Sequence, residues 1–354
     1  MEFILQRALL PDNKMLRRKL LDEYFPCNLI PFEELINNQW RIRTFIPNDF
    51  SYYIDPQLRK SLENWPEFVN LESLGSYWRF YKNGMISFND SWSLFYWSLL
   101  FKWLDSQGIP TTKFTLLHID DHVDMASPLL ISQESSFECI FSHREVNFSN
   151  PESIQQALER KSIDIGSFIT PLIHAIDFGH VFHWRLAHQG PSLHKTLSRA
   201  TQIDTLLAPD KKRPSITFDK EKPANYKFSV ASTLPDLHDI THGSSFLLLH
   251  IDCDAFNNRY NGDANWNPLR ASIDLNLDQI KPKIHHLLEQ VSRLKIPVFM
   301  NVALSPGFFP SEYWKETCNL IFEEAENYGI IREDDFSKYL KEFYPNQIFK
   351  KKFI

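Results

Sequence analysis

The chain has 354 residues, 43% of them apolar and 23% charged, with 38 Lys and Arg against 44 Asp and Glu for a formal charge of −6. That is the composition of a globular protein with room for one large α/β domain or two smaller ones, and it excludes disordered and collagen-like chains. So mild an acidic excess creates no overall field to draw in nucleic acid or an anionic membrane, and neither is expected as a partner.

Residues 1 to about 70 are rich in Pro, Asn and aromatics without a sustained period, and read as an irregular extension (residues 1–75) packed on a core domain (residues 76–354). The start, MEFILQRALLPDNKMLRRKLL, puts its apolar residues ahead of its basic ones and lacks a small-residue cleavage site, unlike a secretory signal. The basic clusters Arg17-Arg18-Lys19 and Lys350-Lys351-Lys352 read as solvated terminal segments. Cys27, Cys139, Cys253 and Cys318 show no CxxC spacing, which argues against a disulfide framework or zinc ribbon and for a reducing compartment. No apolar run reaches the roughly 18 residues of a membrane span. A cytoplasmic protein is expected, and a homo-oligomer is compatible with the sequence.

SWSLFYWSLLFKWLDSQG (residues 91–108) has helical apolar spacing, Asp90 or Ser91 as N-cap and Gly108 as a stop. Its aromatics, with Trp78, are expected in the core. FTLLHID (residues 114–120) is a β-rich run suited to a central strand covered on both faces. A mixed segment over residues 162–188 carries four histidines, and the charged, Pro-bearing stretch 206–229 reads as an exposed, mobile excursion. A second strand, SFLLLHID (residues 245–252), leads to an Asn/Gly-rich loop, then an amphipathic helix over 277–294 with Pro282 in its first turn. PVFMNVAL (residues 297–304) is a third strand, followed by a turn and another helix. Strands separated by helices predict an α/β fold with a parallel sheet, where ligands gather outside the carboxyl ends of the strands.

Two segments echo each other at that place: LLHIDDHVD (residues 116–124) and LLHIDCD (residues 248–254), each an apolar strand ending in closely spaced carboxylates. Asp120, His122 and Asp124 alternate and share a face in extended backbone, as do Asp252 and Asp254. Carboxylates a few ångströms apart cannot all stay ionised without a cation. Oxygen-dominated ligation with one imidazole suits Mn²⁺ better than a structural zinc site. His118 and His250, two residues before the key aspartates, either orient the ligands or pack the core.

DDHVD (residues 120–124) resembles the DxHxD motif of the ureohydrolase and deacetylase superfamily, and HIDCDAF (residues 250–256) resembles its DxD motif. The likeness is closer still to the branch that includes the peptide arginases of ribosomal peptide biosynthesis, through LLHIDDHVDM, HIDCDAF, ITPLIHAIDFGHVFHW and ALSPGFFP, and it spans about residues 83–324. The resemblance implies a three-layer sandwich with a central, mostly parallel sheet. It also implies two Mn²⁺ per chain that activate a hydroxide, hydrolysing arginine side chains of a precursor peptide to ornithine and urea. The implied ligands are Asp90, Asp120, His122, Asp124, Asp252 and Asp254. Asp120 and Asp252 would bridge the ions, Asp90 and Asp124 would complete one site, and His122 and Asp254 the other. Asp90 stands where the family has a histidine.

The same resemblance points to a proton-relay histidine in the segment holding His174, His180, His183 and His188, with His180 favoured and His183 second. Ser305 would line the pocket. Asp121 either adds charge for a cationic side chain, faces solvent or caps the loop. The stretch MASPLLIS after DxHxD is largely apolar, which suits a substrate whose backbone is already in amide linkage. A rival reading is a deacetylase-type amide hydrolase with one zinc; another is a non-catalytic binding protein that keeps the metal for stability.

Overall fold

The computed structural model describes residues 1–25, 29–110, 113–219, 226–262 and 274–349. Cys27, part of the Asn/Gly-rich loop and the Lys350-Lys351-Lys352 cluster lie outside the described residues.

The N-terminal segment is not irregular. Strands β1 (Glu2–Gln6), β2 (Ile30–Ile36) and β3 (Gln39–Phe45) form an antiparallel sheet in the order β1-β3-β2, with helix α1 (Lys14–Tyr24) between β1 and β2. Asn37 and Asn38 turn β2 into β3 at φ 49° and 61°, a left-handed geometry that asparagine tolerates. Trp40, Ile42 and Thr44 alternate inward along β3. The apolar members pack with Leu5, Leu21 and Phe25, and with Leu129, Ile131, Ile140 and Leu206 from the rest of the chain. Arg17, expected in solvent, is buried with its guanidinium 4.0 Å from the Trp40 ring centre and 3.6 Å from Glu33. A flat aromatic face and a carboxylate make that burial tolerable.

Short helices α2 (Leu58–Glu63) and α3 (Leu71–Leu74) lead to the hairpin of β4 (Trp78–Tyr81) and β5 (Gly84–Ser87). Helix α4 (Trp92–Ser106) follows as the spacing predicts, buried over most of its circumference, and Leu94, Leu99, Leu100 and Leu104 are fully enclosed. Each such leucine stabilises the fold by about 1.5–3 kcal/mol. Strand β6 (Phe114–Ile119) is the expected central strand. A small sheet of β7 (Leu130–Ser132), β8 (Phe137–Cys139) and β9 (Glu145–Val146) precedes α5 (Pro151–Glu159) and α6 (Ile169–Ala175).

Then come β10 (Phe178–Trp184), β11 (Leu193–Ile203), β12 (Lys212–Asp219), β13 (Tyr226–Ala231), α7 (Leu237–Thr241) and β14 (Phe246–Asp252). The charged stretch read as a mobile excursion instead supplies β12 and the start of β13. Its charges fit an edge hairpin with one face in solvent. The chain continues through α8 (Leu277–Ser292), β15 (Val298–Ala303), α9 (Trp314–Asn327) and α10 (Asp335–Phe343). Pro282 lies in the body of α8, beyond the first turn where the sequence reading placed it. The Asn276/Gln279 capping box and the buried face of Ile280, Ile284, Leu287 and Leu288 hold the helix despite the lost hydrogen bond.

Nine strands form the main sheet in the order β12-β11-β13-β10-β6-β14-β15-β5-β4. The run from β13 to β5 is parallel, and the outer strands are antiparallel. Alternation along the strands feeds two cores. Leu117, Ile119, Leu249 and Ile251 join α2, α7, α8 and α9 on one face. Phe114, Leu116, Leu248 and Val181 join α4, α5, α6 and α10 on the other. Among the described residues no helix is long and apolar enough to cross a membrane.

Asp55, ahead of α2, ties the amino-terminal third to the late loops. Its buried carboxylate accepts from the N–H groups of Gln57 and Ser311, both at 2.8 Å, and from the Tyr260 hydroxyl at 3.4 Å. Asp55→Ala strands these donors and is expected to lower stability by about 2–3 kcal/mol in urea unfolding followed by tryptophan fluorescence.

Candidate metal centre

Parallel register places three histidines in one row. His183 of β10, His118 of β6 and His250 of β14 are aligned partners on adjacent strands, and Asn301 of β15 extends the row. Two residues further along the same face, β6 and β14 reach Asp120 and Asp252. The sheet therefore presents a polar tier with the acidic cluster directly above it, at the carboxyl edge.

The tier is self-bonded. His118 Nδ1 and His250 Nδ1 are 2.8 Å apart, and His118 Nε2 lies 3.1 Å from the His122 carbonyl. His183 Nε2 is 2.9 Å from the Asp120 carbonyl. His118 and His183 hold the backbone of the loop above, and His250, whose Nε2 is buried without a partner, braces His118. Burial keeps them neutral, with His183 lowered to about 4 and His250 to about 3.

Among the described residues, ligand-type atoms converge in three groups that share Asp120: one, His118, Asp120 and His250, reaches down into the tier, and two lie above it. Of the upper two, one comprises Asp90, Asp120 and Asp124; the other comprises Asp120, His122 and Asp254; each lies within 4.8 Å. Asp90 comes from the turn before α4, where its carboxylate accepts from the Ser91 N–H at 2.7 Å and so caps the helix entrance only locally. Asp124 sits at φ 50°, a strained conformation for a non-glycine residue that turns the loop back on itself. His122 Nδ1 is 2.9 Å from Asp254 Oδ2, and the His122 N–H donates to Asp120 Oδ1 at 2.6 Å. Asp252 lies beside these groups, accepting from Ser305 Oγ at 2.5 Å and from the Asp254 N–H at 3.1 Å.

All five aspartates are buried. Burial first, and then the negative charge of their neighbours, raises the carboxyls of Asp90, Asp120, Asp124 and Asp252 above the ordinary carboxylate range. Asp254 goes the other way: its burial is outweighed by the charge and hydrogen bond of His122, and His122 is in turn raised to about 12, its own burial overcome by Asp254 and Asp120. A proton between His122 and Asp254 thus does the electrostatic work that a cation would do. Asp120 Oδ2 and Asp124 Oδ2 are buried without a hydrogen-bond donor. Orphaned carboxyl oxygens at this depth fit divalent metal ligation, so the buried Asp/His cluster can bind metal ions.

The cluster opens into a cavity of about 810 Å³ lined by Asp90, Asp121, His122, Asp124, Asp252, Asp254 and Ser305. Ser305 stands at φ 41° and, as expected, lines the cavity, where its hydroxyl steers Asp252. Phe308 packs 5.2 Å from the His122 ring, and Gly262 at φ 65° gives it room, since a Cβ there would come within 2.3 Å of that phenyl. His183 lines the cavity as well. His180 does not: an odd step along β10 turns it to the opposite face, with Nε2 2.9 Å from Ser229 Oγ. Of the two, the fold brings His183, not the favoured His180, to the cavity. His188 also lines the cavity, whereas His174 bonds the Ser215 carbonyl elsewhere.

Several wall residues have no local sequence signature: Tyr24 and Phe25 from the N-terminal segment, Asp164, Arg185, and Lys195, Phe218 and Phe228 from the antiparallel strands. Tyr24 donates to Asp204 at 2.7 Å, and Arg213 reaches the same carboxylate at 3.4 Å, which seals the extension onto the cavity rim. Only the parity of β10 could have favoured His183 over His180 in advance.

No protein-family profile matches this chain, and no curated protein matches it significantly.

The raised carboxyls dictate a pH response of the metal-free protein. Above the ordinary value of 3.8, Asp90, Asp120, Asp124 and Asp252 keep protons that the unfolded chain has released. Stability is then lost as pH rises through the folded-state values. The depressed histidines act oppositely, but only below their ordinary value of 6.5. Above about pH 7 the metal-free protein is expected to lose stability as pH rises, with His122, raised to about 12, adding to the loss, and Mn²⁺ should reduce that slope, as read by urea midpoints at each pH.

Proposed function

We propose that the chain is a manganese-dependent, arginase-type hydrolase of the cytoplasm that converts arginine side chains of a precursor peptide to ornithine and urea. The observation that carries this reading is the buried cluster of five aspartates and His122, with orphaned oxygens on Asp120 and Asp124, at the carboxyl edge of two adjacent parallel strands. The pairing of DxHxD with DxD supports it, as do the two carboxylate-rich groups above the histidine row, Asp90/Asp120/Asp124 and Asp120/His122/Asp254, which share Asp120. Two divalent ions at this place would supply hydroxide at neutral pH by lowering the pKa of a water they share.

The chain's own residues have distinct tasks in this scheme. Asp120, common to the ligand groups, and Asp252 beside them would bridge the ions, Asp90 and Asp124 would serve one, and His122 and Asp254 the other. Ser305 fixes the direction of Asp252. His183 fixes the ligand loop through the Asp120 carbonyl. Addition of water to the guanidinium carbon and cleavage of its bond to the side-chain nitrogen yield urea and an amine that must gain a proton. His188, half-buried in the cavity wall with its Nε2 3.0 Å from the Pro191 carbonyl, is assigned to hand that proton on, because it lines the cavity outside the buried histidine row.

The rival reading, a deacetylase-type amide hydrolase with one zinc, draws on the trio Asp120, His122 and Asp254, which alone offers two carboxylates and an imidazole. It leaves Asp90 and Asp124 without a task.

Incubation of Mn²⁺-loaded protein with an arginine-containing peptide is expected to give the ornithine peptide and urea by mass spectrometry. An unchanged peptide together with turnover of an acyl-lysine peptide would refute the proposal. Asp252→Asn should abolish turnover and weaken metal binding. His188→Ala should cut turnover roughly 10²–10⁴-fold with metal content unchanged, whereas His183→Ala should act through metal affinity, lowering it roughly 10–100-fold.

A further inference from the structure

Strand β10 continues past His183 through Trp184 to Arg185, whose main-chain N–H donates to the Ala231 carbonyl at 2.9 Å. Its side chain turns toward the ligand loop, where Nε donates to Asp121 Oδ1 at 3.0 Å. The second oxygen of Asp121 accepts from Asn258 Nδ2 at 2.8 Å, and both Asp121 and Asn258 are buried. The Asp121 carboxylate is therefore occupied on both oxygens and does not offer itself to a cationic substrate. It acts as a bracket that holds Arg185 against the cavity.

Arg185 lines the same cavity as the acidic cluster, with its side chain 36% exposed. Among the described residues its terminal guanidinium nitrogens meet no acceptor, so the planar fork is aimed but unused. Lys195 lines the cavity too, its ammonium 5.3 Å from the centre of the Phe218 ring and without a carboxylate partner among the described residues. The cavity thus has an acidic floor and, on a wall that also carries Glu23 and Asp164, the two cations Arg185 and Lys195. Two cations beside an acidic floor suit a ligand that is cationic at one end and anionic at the other. A bracketed guanidinium fork matches a carboxylate in particular, since two parallel N–H groups reach both oxygens.

We propose that Arg185, positioned by Asp121 and Asn258, is a carboxylate-binding residue that sets substrate specificity. The reacting side chain enters the acidic floor while a carboxylate of the same molecule docks on Arg185, with Lys195 adding to the field. That carboxylate is either the α-carboxylate of a C-terminal residue or the side chain of an acidic neighbour in the peptide. This rests on the catalytic reading above for the direction of entry, but the contact itself is tested by binding alone.

The probes are ornithine peptides, which neither the arginase nor the deacetylase reaction consumes. One pair differs only in a C-terminal carboxylate against its amide, the other only in Asp against Asn beside the ornithine. Each is titrated calorimetrically into the Mn²⁺-loaded full-length protein. The carboxylate member of at least one pair is expected to bind roughly tenfold more tightly. Preference in the first pair assigns the α-carboxylate, and preference in the second assigns an acidic side chain. Arg185→Met should erase the preference with metal content unchanged and the thermal midpoint lowered by the loss of Asp121's partner, Arg185→Lys should keep part of the preference, and Asp121→Asn should weaken it by freeing the fork. Equal binding within both pairs, absence of binding by all four peptides, or a preference that survives in Arg185→Met would overturn the proposal. Failure of the arginase reading would appear separately, as absence of urea from arginine peptides.

Discussion

The constraint on which the rest of this structure depends is the mutual repulsion of carboxylates taken out of water. Asp90, Asp120, Asp124, Asp252 and Asp254 are all buried at one sheet edge, and only His122 supplies a compensating charge among the ligand-type groups there. Ionising such a group without cations costs several kcal/mol per charge even after relaxation. The metal-free protein answers by holding protons, on four carboxyls and between His122 and Asp254. Metal binding would replace those protons, so that affinity, stability and pH become one linked property.

The sheet exists to make that cluster rigid. Adjacent parallel strands end in register, so Asp120 and Asp252 arrive side by side without any loop having to find the geometry. Below them the row of His183, His118 and His250 is a layer of neutral imidazoles whose hydrogen bonds end on the carbonyls of Asp120 and His122. An apolar layer at that depth would leave these carbonyls unpaired. The late turn contributes through Ser305 and Phe308, which fix Asp252 and His122. The N-terminal sheet and the β11–β12 hairpin are remote in sequence, yet both close the cavity, through Tyr24, Arg213 and Asp204.

What was legible in the sequence was what depends on local pattern. The apolar runs of β6, β14 and β15 and the periods of α4, α8 and α9 announced the α/β architecture, and the acids at two strand ends announced a metal-type cluster. The N-terminal sheet was hidden because its inward residues, Trp40, Ile42 and Thr44, alternate over one short strand whose partners lie at Leu129 and Ile140. The β12 strand was hidden because an edge hairpin wears charges like a loop. His183 was ranked below His180 because composition cannot give strand parity. Asp121 was left among three roles, and the structure shows another, since its partners Arg185 and Asn258 are far away in the chain.

Whether the acidic cluster holds two ions, as proposed, is tested most directly by counting them. Metal-free protein is titrated with Mn²⁺, and the metal retained after gel filtration is measured per chain, in parallel with Asp120→Asn, which alters the residue common to both ligand groups. The account predicts two ions per chain with release of protons from the buried cluster, and loss of both in the variant. Retention of no Mn²⁺, of a single ion, or of the same two ions in Asp120→Asn would contradict it.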